Sequence, residues 1–391
     1  MSKTKTSGSR WLPLVLLNSL LIQAGIYVVR PIITYKSVEL GADAALVGLI
    51  GATFALAPLI LAIQVGRFVD KGRSGLALML GSVILVLTTI ALLFINSIAL
   101  LMLAMPALGM GHLLIMVGGQ TLIANRSSSS QYEKNFGLLT FYASAGHAIG
   151  PLVGGYLADS GEVTVNANAA FLFALALFLA AVIGTIALST RKENPRPKQD
   201  LEKAKLREVL AVPTFKSAMF VASATTAVVD VVLIFLPLYG REIGLSVTDI
   251  GILLAIRSIF SLAVRLVLGQ ISTKLGLRRL LSWGSIVTMV SMVALGLTAN
   301  FWLIALIMAI SGFTMGVGQP ATMAWVSRIS SPDSRGLAIA VRLSANRLGQ
   351  VTMPALAGVV AGASTAGVFY MLAALQAASI VATVTSLKKG E

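Results

Sequence analysis

The groups best able to do chemistry in this 391-residue chain are charged or titratable side chains set inside long apolar runs. Arg30, Arg257, Arg265, Arg342 and Arg347 are of this kind, Asp230 is the one embedded carboxylate, and His112 and His147 are the two histidines of the chain. A charge near the centre of a bilayer costs about 2.5–3.5 kcal/mol on insertion scales, so it must face a cavity, a partner or an interface. At 1.5 Å of rise per residue, Asp230 lies about 12 Å from the outer end of its run and Arg257 about 15 Å into the next. The matched depth predicts an Asp230–Arg257 ion pair. One acid cannot neutralise five arginines. Arg257 and Arg347 near the midplane, with Arg30 nearer the outer end, are therefore candidates to grip an anionic group. The competing reading is structural, with Arg30, Arg265 and Arg342 snorkelling to the interfaces and the others bonding backbone carbonyls. Proton coupling requires a group that titrates during a working cycle. Asp230, His147 and His112 are the candidates, and for each histidine the alternative is a hydrogen-bonded packing role. Gln23, Tyr27, Gln120, Tyr142, Gln319, Trp325, Asn346 and Gln350 are polar groups able to line a cavity.

Other chemistry is missing. No glycine-rich phosphate loop ending in Lys-Ser/Thr occurs, which argues against ATP as the energy source. There is no Ser-His-Asp spacing and no His-Glu-x-x-His, and two histidines on different spans make a poor metal site. With no cysteine in the chain, disulfides and thiolate ligands are excluded. The sequence predicts no enzyme, no metal and no cofactor.

These groups sit in elements that only a membrane accommodates. Hydrophobic residues make up 57% of the chain and charged residues 12%, against roughly 25% charged in soluble domains. Runs of about 20 apolar residues can cross a bilayer as helices. Twelve are predicted, at 11–34, 44–65, 75–96, 98–122, 136–158, 168–189, 214–238, 247–271, 279–299, 301–326, 335–361 and 364–387. The net charge of +15 does not indicate nucleic-acid binding, because the basic residues are clustered between the apolar runs. Alternate loops together carry 23 lysines and arginines, whereas the opposite loops hold only Lys36 and Arg241. The positive-inside rule then predicts both termini on the cytoplasmic side. The longest polar stretch, 190–213, falls at the midpoint and predicts a cytoplasmic linker with a short amphipathic helix. It separates a six-helix half at 1–189 from another at 214–391.

The halves echo each other about 200 residues apart. Gly66 to Ser74 (GRFVDKGRS) corresponds to Gly269 to Arg279 (GQISTKLGLRR), and Gly118-Gly119-Gln120 to Gly316-Val317-Gly318-Gln319-Pro320. Gly146 to Gly155 (GHAIGPLVGG) has a weaker echo in Asn346 to Gly358. The charges around Asp70 suit a latch at a helix start, closing one arrangement of two halves and breaking in another. Glycines four apart on one helix let a second backbone approach closely.

On these residues the chain resembles a major facilitator superfamily transporter over essentially its whole length. Gly66, Asp70, Gly72 and Arg73, with Lys71 for the first basic residue, resemble the family's loop signature G-x-L-x-D-R-x-G-R-R. Gly146, Gly150, Pro151, Gly154 and Gly155 meet G-x-x-x-G-P-x-x-G-G, which is similar to the signature of its drug/solute:proton antiporters. The span-four signature R-x-x-Q-G-x-G is half met by Gly109 and Gly111, with Met105 and Leu108 replacing Arg and Gln. The resemblance implies an all-α polytopic membrane protein of twelve helices in two pseudo-symmetric six-helix halves, monomeric, in a bacterial plasma membrane. It implies proton-coupled export of a small organic solute by alternating access, driven by a proton gradient. The arginine excess leaves proton-coupled uptake of an organic anion as the alternative.

Overall fold

The computed structural model describes residues 11–128, 130–161, 165–189, 206–331 and 334–387. Within them every regular element is a helix. The first seven are α1 (Trp11–Glu39), α2 (Ala44–Thr53), α3 (Leu56–Asp70), α4 (Ser74–Phe94), α5 (Ile98–Arg126), α6 (Tyr132–Ala158) and α7 (Ala167–Ser189). After them come α8 (Leu206–Ala211), α9 (Phe215–Glu242), α10 (Val247–Gly296), α11 (Phe301–Ile329), α12 (Arg335–Ala363) and α13 (Thr365–Ser386). Most of the predicted linker 190–213 lies outside the described residues, and its described end forms α8.

Two predicted boundaries need correction. The second span is not one helix. Pro58 has no N–H to offer the Phe54 carbonyl, and the chain bends at Phe54–Ala55 between α2 and α3. Spans eight and nine are not separated by a loop at 272–279; they run together as α10 and fold at Gly276, whose φ of 72° is open mainly to glycine. Ten helical segments among the described residues are long and apolar enough to cross a bilayer, counting α2 with α3. Because α10 folds back at Gly276 it provides two crossings, and α12, which carries Arg342 and Arg347, completes the twelve-helix arrangement.

The crossings alternate between two faces, here the near face, where α1 begins and α13 ends, and the far face. The outward surface is apolar, with Leu103, Ile183 and Leu266 each 72–73% exposed. In water that would be a liability; against acyl chains it is the solvated state. Phe94 and Trp302, at far-face helix ends, are both 77% exposed, where aromatic rings sit at a membrane interface.

The two sets of six crossings repeat each other closely, at a separation of 203 residues. Gly41 and Gly244 both turn with positive φ after the first crossing of their set. Ser97 and Asn300 both cap a helix through the side chain, accepting from the Leu100 and Leu303 amides. Towards the far face one apolar core runs through both sets, joining Ile26, Val28 and Ile50 to Val231, Leu236 and Ile250. Towards the near face separate clusters appear. One, around Phe215, Leu281 and Trp325, belongs to α8–α13; another, around Val65, Val69 and Leu113, belongs to α3–α5.

Candidate functional site

The far face is closed by two helix crossings between the sets. At α6/α10, a Cβ on Gly155 would lie 2.7 Å from the Val247 carbonyl oxygen and 3.0 Å from the Gly251 Cα, and one on Gly251 would collide with the Pro151 carbonyl. At α2/α12, a Cβ on Gly358 would lie 2.8 Å from the Ala45 carbonyl and 3.0 Å from the Gly48 Cα, and one on Gly48 would collide with the Pro354 carbonyl. The crossings are copies, since 48 and 251, 151 and 354, and 155 and 358 are each 203 residues apart. Backbone approaches backbone at both, so no water column remains between the helices. Beside the first crossing, Asp159 at the end of α6 accepts from the Thr248 amide of α10 at 3.1 Å. Hydrogen bonding from Thr248 holds its carboxyl below the usual carboxylate range, against the opposing effect of partial burial.

Beneath this closed face lies the charged centre. Arg30 of α1 donates through Nη1 to Asp230 Oδ1 of α9 at 2.7 Å, and the two are 5% and 4% exposed. The pair joins the two sets of crossings. The Arg30 guanidinium also lies over the Phe54 ring, 4.5 Å from its centroid, a position worth up to about 2 kcal/mol when desolvated. One turn further along, Thr34 Oγ1 donates to the Ile234 carbonyl at 2.9 Å and holds α1 against α9. The predicted Asp230–Arg257 pair is not formed. Counted from the observed helix ends, Arg30, Asp230 and Arg257 lie roughly 13, 18 and 15 Å deep, so depth could not choose between the arginines. Packing did: α1 lies directly on α9, whereas the Arg257 backbone is covered by Gly312 of α11. Arg257 is buried, and its Nε has no partner.

The two histidines meet at one amide. Gln23 Oε1 of α1 lies 3.2 Å from His112 Nε2 of α5 and 3.3 Å from His147 Nε2 of α6. An amide oxygen only accepts, so each contact is a hydrogen bond in the tautomer that carries the proton on Nε2. Gln23 Nε2 donates to Met116 Sδ at 3.0 Å. Tyr27 stacks on His147 with centroids 3.9 Å apart.

Below His147 a cavity of about 190 Å³ opens towards the near face. Gln23 and Asn18 on its wall are buried, while Gln120, Thr140 and Gln319 at its rim are exposed. Among the described residues Arg265 of α10 is the only charged side chain on its lining, and its Nη1 donates across to Ser144 Oγ of α6 at 3.0 Å. Arg265 therefore does not snorkel to an interface as expected. Neither does Arg342, which donates through Nη2 to the Gln319 carbonyl and Thr322 Oγ1, both at 3.0 Å, inside its own set of helices. Arg347 donates to Gln350 Oε1 at 2.8 Å and lies within electrostatic reach of Asp230 and Arg30. Of the polar residues expected to line a cavity, Gln23, Gln120 and Gln319 do so; Trp325 is instead packed in the α8–α13 core.

The sequence pattern of the Major Facilitator Superfamily matches residues 15–246 and 218–390, which together take in nearly the whole chain. The chain belongs to the major facilitator superfamily. It is an integral membrane transporter of that family. Among its relatives is the quinolone resistance protein NorA of Staphylococcus aureus (strain MRSA252), 25% identical over 375 residues, covering 93% of each chain. Another is multidrug resistance protein 1 of Bacillus subtilis (strain 168), 23% identical over 377 residues, covering 95% of each. Among solved structures it is similar to a bacterial homolog of the human lysosomal transporter Spinster, with a TM-score of 0.73, 18% identity and coverage of 97% of this chain and 96% of that one. The nucleoside transporter NupG also matches at a TM-score of 0.73, with 16% identity and coverage of 96% and 99%.

The superfamily signatures take distinct places in the fold. Gly146, Gly150 and Gly154 face α1, where added Cβ atoms would meet the Leu20 carbonyl, the Ala24 carbonyl and the Val28 side chain. Pro151 and Gly155 face α10 instead. One motif thus packs α6 within its own set and across to the other. The loop signature forms a tight turn at the near face. Gly72 N–H bonds the Val69 carbonyl, and the Arg73 guanidinium lies 5.4 Å from the Phe68 ring centroid. Gly66 has open space around it, and Asp70, Lys71 and Arg73 are exposed. Among the described residues no ion pair reaches Asp70. Sequence reasoning undervalued Gln23, which no motif marks, and Arg265, whose distance from a helix end suggested an interface.

Proposed function

We propose that this transporter is a proton-coupled exporter of a small organic solute, working by alternating access with Asp230 and Arg30 as its coupling pair. The observation that carries this is the buried Arg30–Asp230 bridge at 2.7 Å, which ties the two sets of helices together directly beneath the closed far face. When the far face parts with the solute, Asp230 opens to the outside, takes a proton there and no longer holds Arg30. The neutral carboxyl is carried back to the arrangement with the far face closed, where it gives its proton up towards the near face and the bridge to Arg30 re-forms. A proton thus enters as the solute leaves. The lysine and arginine distribution supports near-face termini in the cytoplasm of a bacterial plasma membrane, so the open cavity loads from inside, as an exporter requires. The resistance names of the two relatives support the same direction, since removing a toxic compound protects a cell.

The test is transport in proteoliposomes with an imposed pH gradient and an internal pH dye, comparing wild type with Asp230→Asn against panels of organic anions and cations. Proton movement opposite to the solute, lost in Asp230→Asn while the variant stays folded, is the expected result. Full pH-driven transport by Asp230→Asn removes the pair from the coupling mechanism. Proton and solute moving together makes the protein an uptake symporter, the reading that the arginine excess otherwise favours.

A further inference from the structure

The near-face cavity carries a chemical preference that its exit mechanism does not specify. Of the described side chains on its wall, Arg265 alone is charged, and no described carboxylate lines it. The guanidinium is only partly exposed, its Nε has no hydrogen-bond partner, and its single bond within the protein is to the neutral hydroxyl of Ser144. Among the described residues no acid lies within ion-pair distance of it. A desolvated charge without a counter-charge is costly. A ligand that brings its own anion removes that penalty, and a guanidinium accepts a carboxylate through paired N–H donors. The remaining wall is mixed. Ile22, Ile115 and Leu139 offer apolar surface, while Gln23, Gln120 and Gln319 offer amide groups.

We propose that the cavity binds organic monoanions, a carboxylate on an apolar or aromatic body, with Arg265 as the group that reads the charge. One cation on the wall matches one negative charge; a dianion would leave its second charge facing amides and aliphatic carbons. A cation would meet Arg265 with nothing to offset the repulsion. Arg257, Arg342 and Arg347, which look equivalent in sequence, do not line the cavity. Arg265 also spans the two sets of helices through Ser144, so a carboxylate held there touches the surfaces that must separate. The inference rests on the exporter reading of the same cavity and assigns its substrate class.

The experiment measures binding apart from transport. Detergent-purified full-length protein is titrated with naphthylacetate, naphthylacetamide and naphthylmethylammonium, three probes of one aromatic body, and binding is read from ligand fluorescence. The anion is expected to bind at least tenfold more tightly than the amide and the ammonium. Arg265→Gln should bring the anion down to the affinity of the amide, and Arg265→Lys should retain part of the preference. Preference for the ammonium, equal affinity or no binding for all three probes, or an anion preference that survives Arg265→Gln overturns the proposal. The three-probe comparison on wild type decides it even where Arg265→Gln fails to fold. Proton coupling is read separately in liposomes, so a failure of the exporter reading there is distinct from a failure of anion selectivity here.

Discussion

The two crossings that close the far face are copies of one another, yet among the described residues only one of them carries a side-chain lock. At α6/α10 the contact of Gly155, Gly251 and Pro151 is joined by the Asp159–Thr248 bond. At α2/α12 the contact of Gly48, Gly358 and Pro354 has the same backbone approach, and the position 203 residues after Asp159 is Gly362. The same asymmetry holds at the centre. The equivalents of Arg30 and Asp230 in the opposite sets are Leu233 and Tyr27, so the ion pair has no copy. Repetition therefore accounts for how the backbones approach, and single, unrepeated side chains account for what holds that approach and what can release it.

The centre should be the most sensitive point. Arg30→Gln strands a buried carboxylate and is expected to lower stability by about 3 kcal/mol, read as a fall in thermal midpoint. The double variant Arg30→Gln/Asp230→Asn should recover most of that loss. If the double variant is as unstable as the single, the pair is not what stabilises the junction.

Next come the crossings themselves. Gly251→Val and Gly48→Val each drive a branched side chain into a proline carbonyl across the junction. The natural absence of cysteine allows Thr34→Cys, buried below the far face, to report its opening to an impermeant maleimide. Each valine variant should speed labelling about tenfold. Equal effects would show that the copied crossings carry equal weight; a response to only one would assign the closure to that side.

A within-set control sharpens this. Gly150→Ala overpacks α6 against the Ala24 carbonyl of α1 and should cost about 1–3 kcal/mol, with Thr34→Cys labelling unchanged. Faster labelling would mean that the motif acts as one unit across both interfaces.

The smallest effect belongs to Asp159. Its folded carboxyl titrates below its ordinary range, so its contribution is present above that range and is lost as pH falls through the depressed folded value. Once corrected for the thiolate fraction at each pH, far-face labelling should therefore stay flat from pH 7 to about 5 in wild type, while Asp159→Asn raises it by roughly threefold, within the ~1 kcal/mol typical of one hydrogen bond. A corrected rise in wild-type labelling across that pH interval that Asp159→Asn abolishes would place the proton-sensitive lock at Asp159 rather than at Asp230.

Most of the architecture was legible in the sequence because lipid leaves a chain few options. Runs of about 20 apolar residues must be helices, and the glycine motif from 146 to 155 carried the family resemblance. The errors came where local pattern and backbone detail diverged. Pro58 was recognised, but the bend it makes at Phe54 was not, and Gly276 folds two helices without the loop its polar neighbours suggested. The site was legible as a set of groups, not as a set of partners. Asp230 was identified as the embedded acid but matched to the wrong arginine, and Arg265 was assigned to an interface it does not reach.

Composition, periodicity and charge placement determined that this protein spans a membrane in twelve helices and holds more buried positive charge than its one embedded acid can neutralise. Those properties follow from transfer free energies summed along the chain, and the order of residues is enough to evaluate them. Only the tertiary structure decided that Asp230 meets Arg30, that His112 and His147 share Gln23, and that Arg265 faces the cavity. These depend on how each helix is rotated about its axis and which neighbour it touches, and that rotation is set by packing between segments 200 residues or more apart.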